Sequence, residues 1–148
     1  MDFIFDTNIF NRILDDKTEM NFISDSHTYY VTHIQLDEIK NTSDPARKRK
    51  LLDTFEDVGQ IERPTESAVI GESRIGKSKI GDGQYDQIKN ELDKYGSKEN
   101  NKRDALIAET AMKNNWILVS NDGNLLKVCT MQKFDIPVMN YSAFKKIK

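Results

Sequence analysis

The chain has 148 residues, 37% of them hydrophobic and 31% charged, with a net charge of −2. That is enough for one domain with one good core, expected over residues 1–148, and not basic enough for nucleic-acid binding through an overall cationic surface. No apolar run approaches the roughly 20 residues of a membrane span, the acidic start leading straight into a strand is unlike a signal peptide, and the single cysteine, Cys129, with two histidines argues against a disulfide or a structural zinc site and for a reducing cytoplasm.

Phe3, Ile4 and Phe5 form a short, wholly apolar run, the pattern of a strand buried on both faces of a parallel sheet. Asp6 follows at once, then Thr7 and Asn8, both helix-capping types, and a periodic segment with Ile9, Phe10, Ile13 and Leu14. Residues 19–27 read as a short helix or loop, and Thr28 to Thr32 as a strand, from its β-branched and aromatic content. His33 to Lys40 reads as a helix with Ile34, Leu36 and Ile39 on its apolar side. The turn Asn41 to Pro45 introduces another helix, with Pro45 at its first position and Leu51, Leu52, Phe55 and Val58 as its stripe.

Residues 60–80 show no clear period, and Gly81-Asp82-Gly83 breaks the chain before a modest helix with Tyr85, Ile88 and Leu92 that ends at Gly96. Asn100 to Lys113 carries Ala105, Leu106, Ile107, Ala108, Ala111 and Met112 at helical spacing and is stopped by Asn114-Asn115. Trp116 to Val119 is a second wholly apolar strand, Ser120 to Asn124 a tight polar loop, and Leu125, Leu126 and Val128 a short helix. Ile136 to Met139 reads as a last strand before a terminal helix. Strands of the buried type alternating with helices predict an α/β fold, a three-layer α/β/α sandwich with a mostly parallel central sheet. Such sheets place ligand sites at the C-terminal ends of their strands.

Four acids stand where chemistry explains them as well as solvation does. Asp6 ends the first strand, Glu38 lies on the helix after the second, Asp104 precedes Ala105 in the Ala-rich helix, and Asp122 follows the Trp116 strand by two residues. Parallel strands bring Asp6 and Asp122 to one edge, and helix starts can bring the other two near. Clustered carboxylates repel unless cations neutralise them, and oxygen ligands without His or Cys suit Mg²⁺ or Mn²⁺. Such ions activate water and stabilise charge on a phosphodiester. Each acid also has an ordinary reading: Asp6 and Asp122 as helix caps, Asp104 as a first-turn acid and Glu38 as a surface acid.

Asp6-Thr7-Asn8 after an apolar strand, Glu38, Arg103-Asp104-Ala105-Leu106-Ile107-Ala108 and Ser120-Asn121-Asp122, in this order along nearly the whole chain, together resemble the PIN domain, most closely the VapC-like ribonuclease toxins of toxin–antitoxin pairs. The resemblance implies a PIN-like fold and an endoribonuclease that leaves 5′-phosphate and 3′-hydroxyl ends. It also implies an Mg²⁺ or Mn²⁺ site of Asp6, Glu38, Asp104 and Asp122, with Asn8 and Ser120 as polar supports. An RNA substrate, a cognate antitoxin and pairing into homodimers are the partners it implies.

Basic residues cluster at Arg47 to Lys50, at Arg74, Lys77 and Lys79, and at Lys98, Lys102 and Arg103. They suit a polyanionic substrate, with Arg74, Lys77 and Arg103 as phosphate contacts, or else are solvated faces. Gly71 to Ser78 matches the phosphate-binding pattern Gly-x-x-x-x-Gly-Lys-Ser, but Gly81 and Gly83 would interrupt the helix that must follow it. A flexible basic loop explains the segment better. Two other functions stay open: a catalytically silent RNA-binding or assembly subunit, and a small phosphatase or nucleotide hydrolase. His27 and His33 read as surface or satisfied residues, Trp116 and Tyr29-Tyr30 as core, and Cys129 as unreactive.

Overall fold

The computed structural model describes residues 1–16, 23–65, 84–96 and 98–147. Five strands, β1 (Asp2–Phe5), β2 (Thr28–Val31), β3 (Ile61–Glu62), β4 (Ile117–Val119) and β5 (Val138–Met139), form one all-parallel sheet in the order β3-β2-β1-β4-β5. Seven helices among the described residues accompany it: α1 (Thr7–Asp16), α2 (His33–Lys40), α3 (Pro45–Val58), α4 (Gln84–Asp93), α5 (Asn100–Asn114), α6 (Gly123–Cys129) and α7 (Tyr141–Phe144). None of them is long and apolar enough to cross a membrane.

Alternation along the strands divides the core into two layers. Phe3 and Phe5 point to one face, where they meet Ile9, Phe10 and Ile13 of α1, Leu51 and Val58 of α3, and Phe144 of α7. Phe144 packs edge-on to both rings with centroids at 5.1 Å. Ile4 points to the other face with Leu118, against Ile88 and Leu92 of α4, the apolar side of α5, and Leu125 and Val128 of α6. Phe3, Ile4 and Phe5 of the central strand are each 0% exposed, each contributing about 1.5–3 kcal/mol of burial. The residue at the end of β1 therefore sits on the least displaceable element of the fold.

The connections leave β1 in opposite directions, towards β2 on one side and β4 on the other. The crevice between the C-terminal ends of β1 and β4 is thus the point where an open parallel sheet receives ligands. Phe5 pairs with Val119 and the Asp6 N–H donates to the Val119 carbonyl at 3.0 Å, so Asp6 and Ser120 emerge side by side.

Four details differ from the sequence expectation. The strand β3 falls in the unread stretch after α3. Thr32, expected to end a strand, caps α2: its hydroxyl accepts from the Ile34 N–H, and Gln35 completes a capping box. In α2, Ile34 and Ile39 are buried whereas Leu36 is half-buried. The start of α1 is also organised by Asp6 rather than by Thr7 or Asn8, with Thr7 already helical.

Candidate acidic site

Asp6 is 5% exposed, and three donors hold its carboxylate. Oδ1 accepts from the Thr7 N–H at 2.7 Å, while Oδ2 accepts from Ser120 Oγ at 2.7 Å and from Asn8 Nδ2 at 3.1 Å. The Ser120 hydroxyl also accepts from the Asp122 N–H at 3.0 Å, so one buried side chain fixes both the acid after β1 and the loop after β4. Asn8 bridges the same gap, its Oδ1 accepting from the Asn121 N–H at 3.4 Å. Asp122 caps α6 through Oδ1, which accepts from the Asn124 and Leu125 N–H groups. The capping geometry is thus present, and Asp122 also lines, with Asp104, a small cavity at this edge.

Glu38 reaches this edge from α2. Its Oε1 accepts from Thr7 Oγ1 at 3.1 Å, and Oε2 lies 3.9 Å from Arg103 Nη1. Arg103 also donates to Asn100 Oδ1 at 3.4 Å. Asp104 lies one turn inside α5 rather than at its start. Burial, and then the negative charges of Asp6, Asp122 and Glu38, push its pKa up to about 8, partly countered by Arg103. Burial likewise raises Asp6, against the opposing hydrogen bonds from Ser120 and Thr7. The structure therefore brings Asp6, Glu38, Asp104 and Asp122 into one electrostatic neighbourhood, with Asn8, Ser120 and Arg103 beside them. Arg74 and Lys77, with the Gly71–Ser78 motif, lie outside the described residues.

The donor set fits a hard divalent cation. It is all oxygen, and burial first, then the neighbouring carboxylates, raises the pKa values of Asp6 and Asp104, a penalty on their ionised forms that a cation would offset. As they stand, no three His, Cys, Asp or Glu side chains among the described residues form a ready ligand cluster, so an ion would have to draw the carboxylates inward. Cys129 is buried beneath this edge, its thiol pushed up to about 12 by burial and then by Asp104 and Asp6. It is therefore no nucleophile at neutral pH.

A cavity of about 90 Å³ adjoins the acids, lined by Asp104, Asp122, Asn100, Asn101, Asn124 and Tyr95 among others. A larger one, about 420 Å³, opens at the opposite edge beside His27, Tyr29, Asp57 and Ile61. The candidate site adjoins the smaller cavity, where Asp104 and Asp122 stand within electrostatic reach of Asp6 and Glu38. His27 accordingly serves the other end of the sheet, where Nδ1 meets the Met1 amino group at 3.3 Å, and His33 is buried at the start of α2. Thr7 is the site residue that sequence reasoning passed over, since a threonine at a helix start reads as a cap.

No protein-family model matches the chain, and no curated protein matches it in sequence. Among solved structures, it is similar to a chain in the crystal structure of VapBC2 from Rickettsia felis bound to a DNA fragment from their promoter, with a TM-score of 0.56 and 18% identity over 95% of this chain and 98% of that one. FitAcB from Neisseria gonorrhoeae gives a TM-score of 0.43 at 15% identity, covering 93% of this chain and 96% of that one. FitAB bound to an IR36 DNA fragment gives 0.44 at 15%, covering 99% and 97%. At such identities the likeness is one of fold: the parallel three-layer architecture of this chain is shared, almost end to end, with a chain of the VapBC2 complex.

Proposed function

We propose that this chain is a PIN-like, metal-dependent endoribonuclease and the toxin of a toxin–antitoxin pair. The observation that carries the reading is the gathering of Asp6, Glu38, Asp104 and Asp122 from four separate elements at the switch point of the sheet, with Asp104 driven to about 8 by its surroundings. The fold shared with a VapBC2 chain and the resemblance of the four motifs to VapC-like toxins support it, and they make a cognate antitoxin the expected partner.

In this reading Asp6, Asp104 and Asp122, with Glu38 completing the set, hold Mg²⁺ or Mn²⁺. When bound, such an ion supplies Lewis-acid activation of water and stabilises charge at the phosphodiester. The chain does the rest. Ser120, Asn8 and the Thr7 N–H lock the Asp6 carboxylate, and Thr7 Oγ1 orients Glu38. Without an ion Asp104 keeps a proton at neutral pH, which limits repulsion in the crevice. Arg103, at the rim beside Glu38, offers a cation to an incoming phosphate.

A second reading, an RNA-binding scaffold without turnover, draws on the acids' not forming a ready ligand cluster. One assay separates the two. Wild type should cleave RNA with Mg²⁺ or Mn²⁺ and not with EDTA, and Asp6→Asn should lose that activity while keeping its fold. RNA binding without cleavage favours the scaffold, hydrolysis of free nucleotides but not RNA favours a nucleotide hydrolase, and wild-type turnover in Asp6→Asn ends the metal-site reading.

A further inference from the structure

The rim of the acidic crevice carries an exposed aromatic ring. Tyr95, in the turn after α4, is 49% exposed, the one aromatic among the exposed large hydrophobic residues described. It lines the cavity of about 90 Å³ together with Asp104, Asp122 and Lys98, and Lys127 Nζ lies 5.8 Å from its ring centroid.

The turn that presents it is tightly held. The N–H groups of Tyr95 and Gly96 donate to Leu92 and Asp93 at 3.0 and 3.1 Å. Buried Asn101 donates through Nδ2 to both the Gly96 carbonyl and Asp93 Oδ1, each at 2.8 Å. Gly96 has φ of +132°, a conformation open to glycine and costly for other residues. Rigid presentation of an apolar ring to water, beside a polar site, suits recognition better than stability.

The surroundings select the ligand. Two lysines answer phosphate charge, and a flat ring offers a stacking face that any nucleobase can use. The cavity holds a few waters or an ion but no base, so a base beside the acids must lie on the rim, where the ring stands. We propose that Tyr95, flanked by Lys98 and Lys127, is the stacking platform for a base of single-stranded RNA next to the phosphodiester presented to Asp6 and Asp104. This rests on the ribonuclease reading. It implies a preference for unpaired RNA, whose bases are free to leave the helical stack.

The test measures binding of a short single-stranded RNA containing 2-aminopurine, in an Asp104→Asn background so that the RNA survives. Tyr95→Ala should weaken affinity about tenfold and relieve the quenching that stacking causes, whereas Tyr95→Phe, which keeps the ring, should stay within about twofold on both. Circular dichroism and thermal unfolding show that each variant is folded. Equal affinity and quenching in folded Tyr95→Ala overturn the platform, even where the wild type cleaves RNA. A wild type that cleaves no RNA overturns the ribonuclease reading instead, and the binding result then decides on Tyr95 alone.

Discussion

Two acids on adjacent helices, Glu91 on α4 and Asp104 on α5, meet opposite electrostatic fates. Glu91 Oε1 accepts from Lys133 Nζ at 2.5 Å and from Lys94 Nζ at 2.9 Å. The pairing, Lys133 first, lowers its pKa and ties α4 to the segment after α6. Asp104 instead is buried near Asp6, Asp122 and Glu38, and burial first, then those charges, raises its pKa. Both acids are drawn out of water, but one receives its cations from within the chain while the other stands among like charges that Arg103 only partly counters. The first arrangement holds a fold together; the second, in the proposed reading, is where a cation would bind.

Mutation should therefore separate activity from stability in opposite senses. Asp104→Asn removes a proposed ligand and should reduce RNA cleavage by more than about 100-fold, exceeding the loss typical of an outer partner. In EDTA at pH 8 it should nevertheless melt higher than wild type, by about 3 °C for each ~1 kcal/mol of repulsion relieved. Glu91→Gln, which strands two lysines, should melt lower and cleave normally. Destabilisation by both would mean that the surroundings of Asp104 are not repulsive and would dissolve the contrast.

Ser120→Ala is a smaller change in the same edge. It removes the 2.7 Å donation to Asp6 Oδ2 and the acceptor for the Asp122 N–H, leaving the acids present but loosely aimed. Cleavage should fall about 10–100-fold. Because the Ser120 hydrogen bond holds the Asp6 pKa down, Mn²⁺ titrations should show the greatest loss of affinity at low pH. Unchanged turnover would demote this hydroxyl to packing.

The parts of this edge that were legible in the sequence were those written in apolar runs. Phe3-Ile4-Phe5 and Ile117-Leu118-Val119 announced buried parallel strands, and Asp6 and Asp122 were located by counting from their ends. The strand β3 was not legible because only Ile61 and Glu62 form it, both exposed, and edge pairing with β2 through the backbone leaves no side-chain period. Thr32 misled through its β-branched side chain, although Gln35 three residues on was the capping-box signal. Which side chain of α2 reaches the site depends on how that helix is rotated, and the Thr7–Glu38 contact spans 31 residues of sequence. Local spacing cannot encode such a contact. Tyr95 carries no signal in the sequence, since its proposed role rests on what stands across the cavity.

The gentlest probe of the contrast is pH. Asp104 titrates near 3.8 in its ordinary state and at about 8 in the folded chain. Between those values the folded protein retains a proton that the unfolded chain has released, so raising the pH favours unfolding. The stability this proton contributes is fully present below the lower value and is lost as pH rises through the upper one. Melting temperature in EDTA should thus fall with rising pH more steeply for wild type than for Asp104→Asn, whose amide does not titrate. Mn²⁺ should flatten the wild-type slope, because an ion held by the ionised carboxylates replaces the proton; at 100 times its dissociation constant it adds about 2.7 kcal/mol. Identical slopes in the two proteins, with no response to Mn²⁺ in either, would reduce Asp6 and Asp122 to helix caps and Asp104 to an ordinary helix acid.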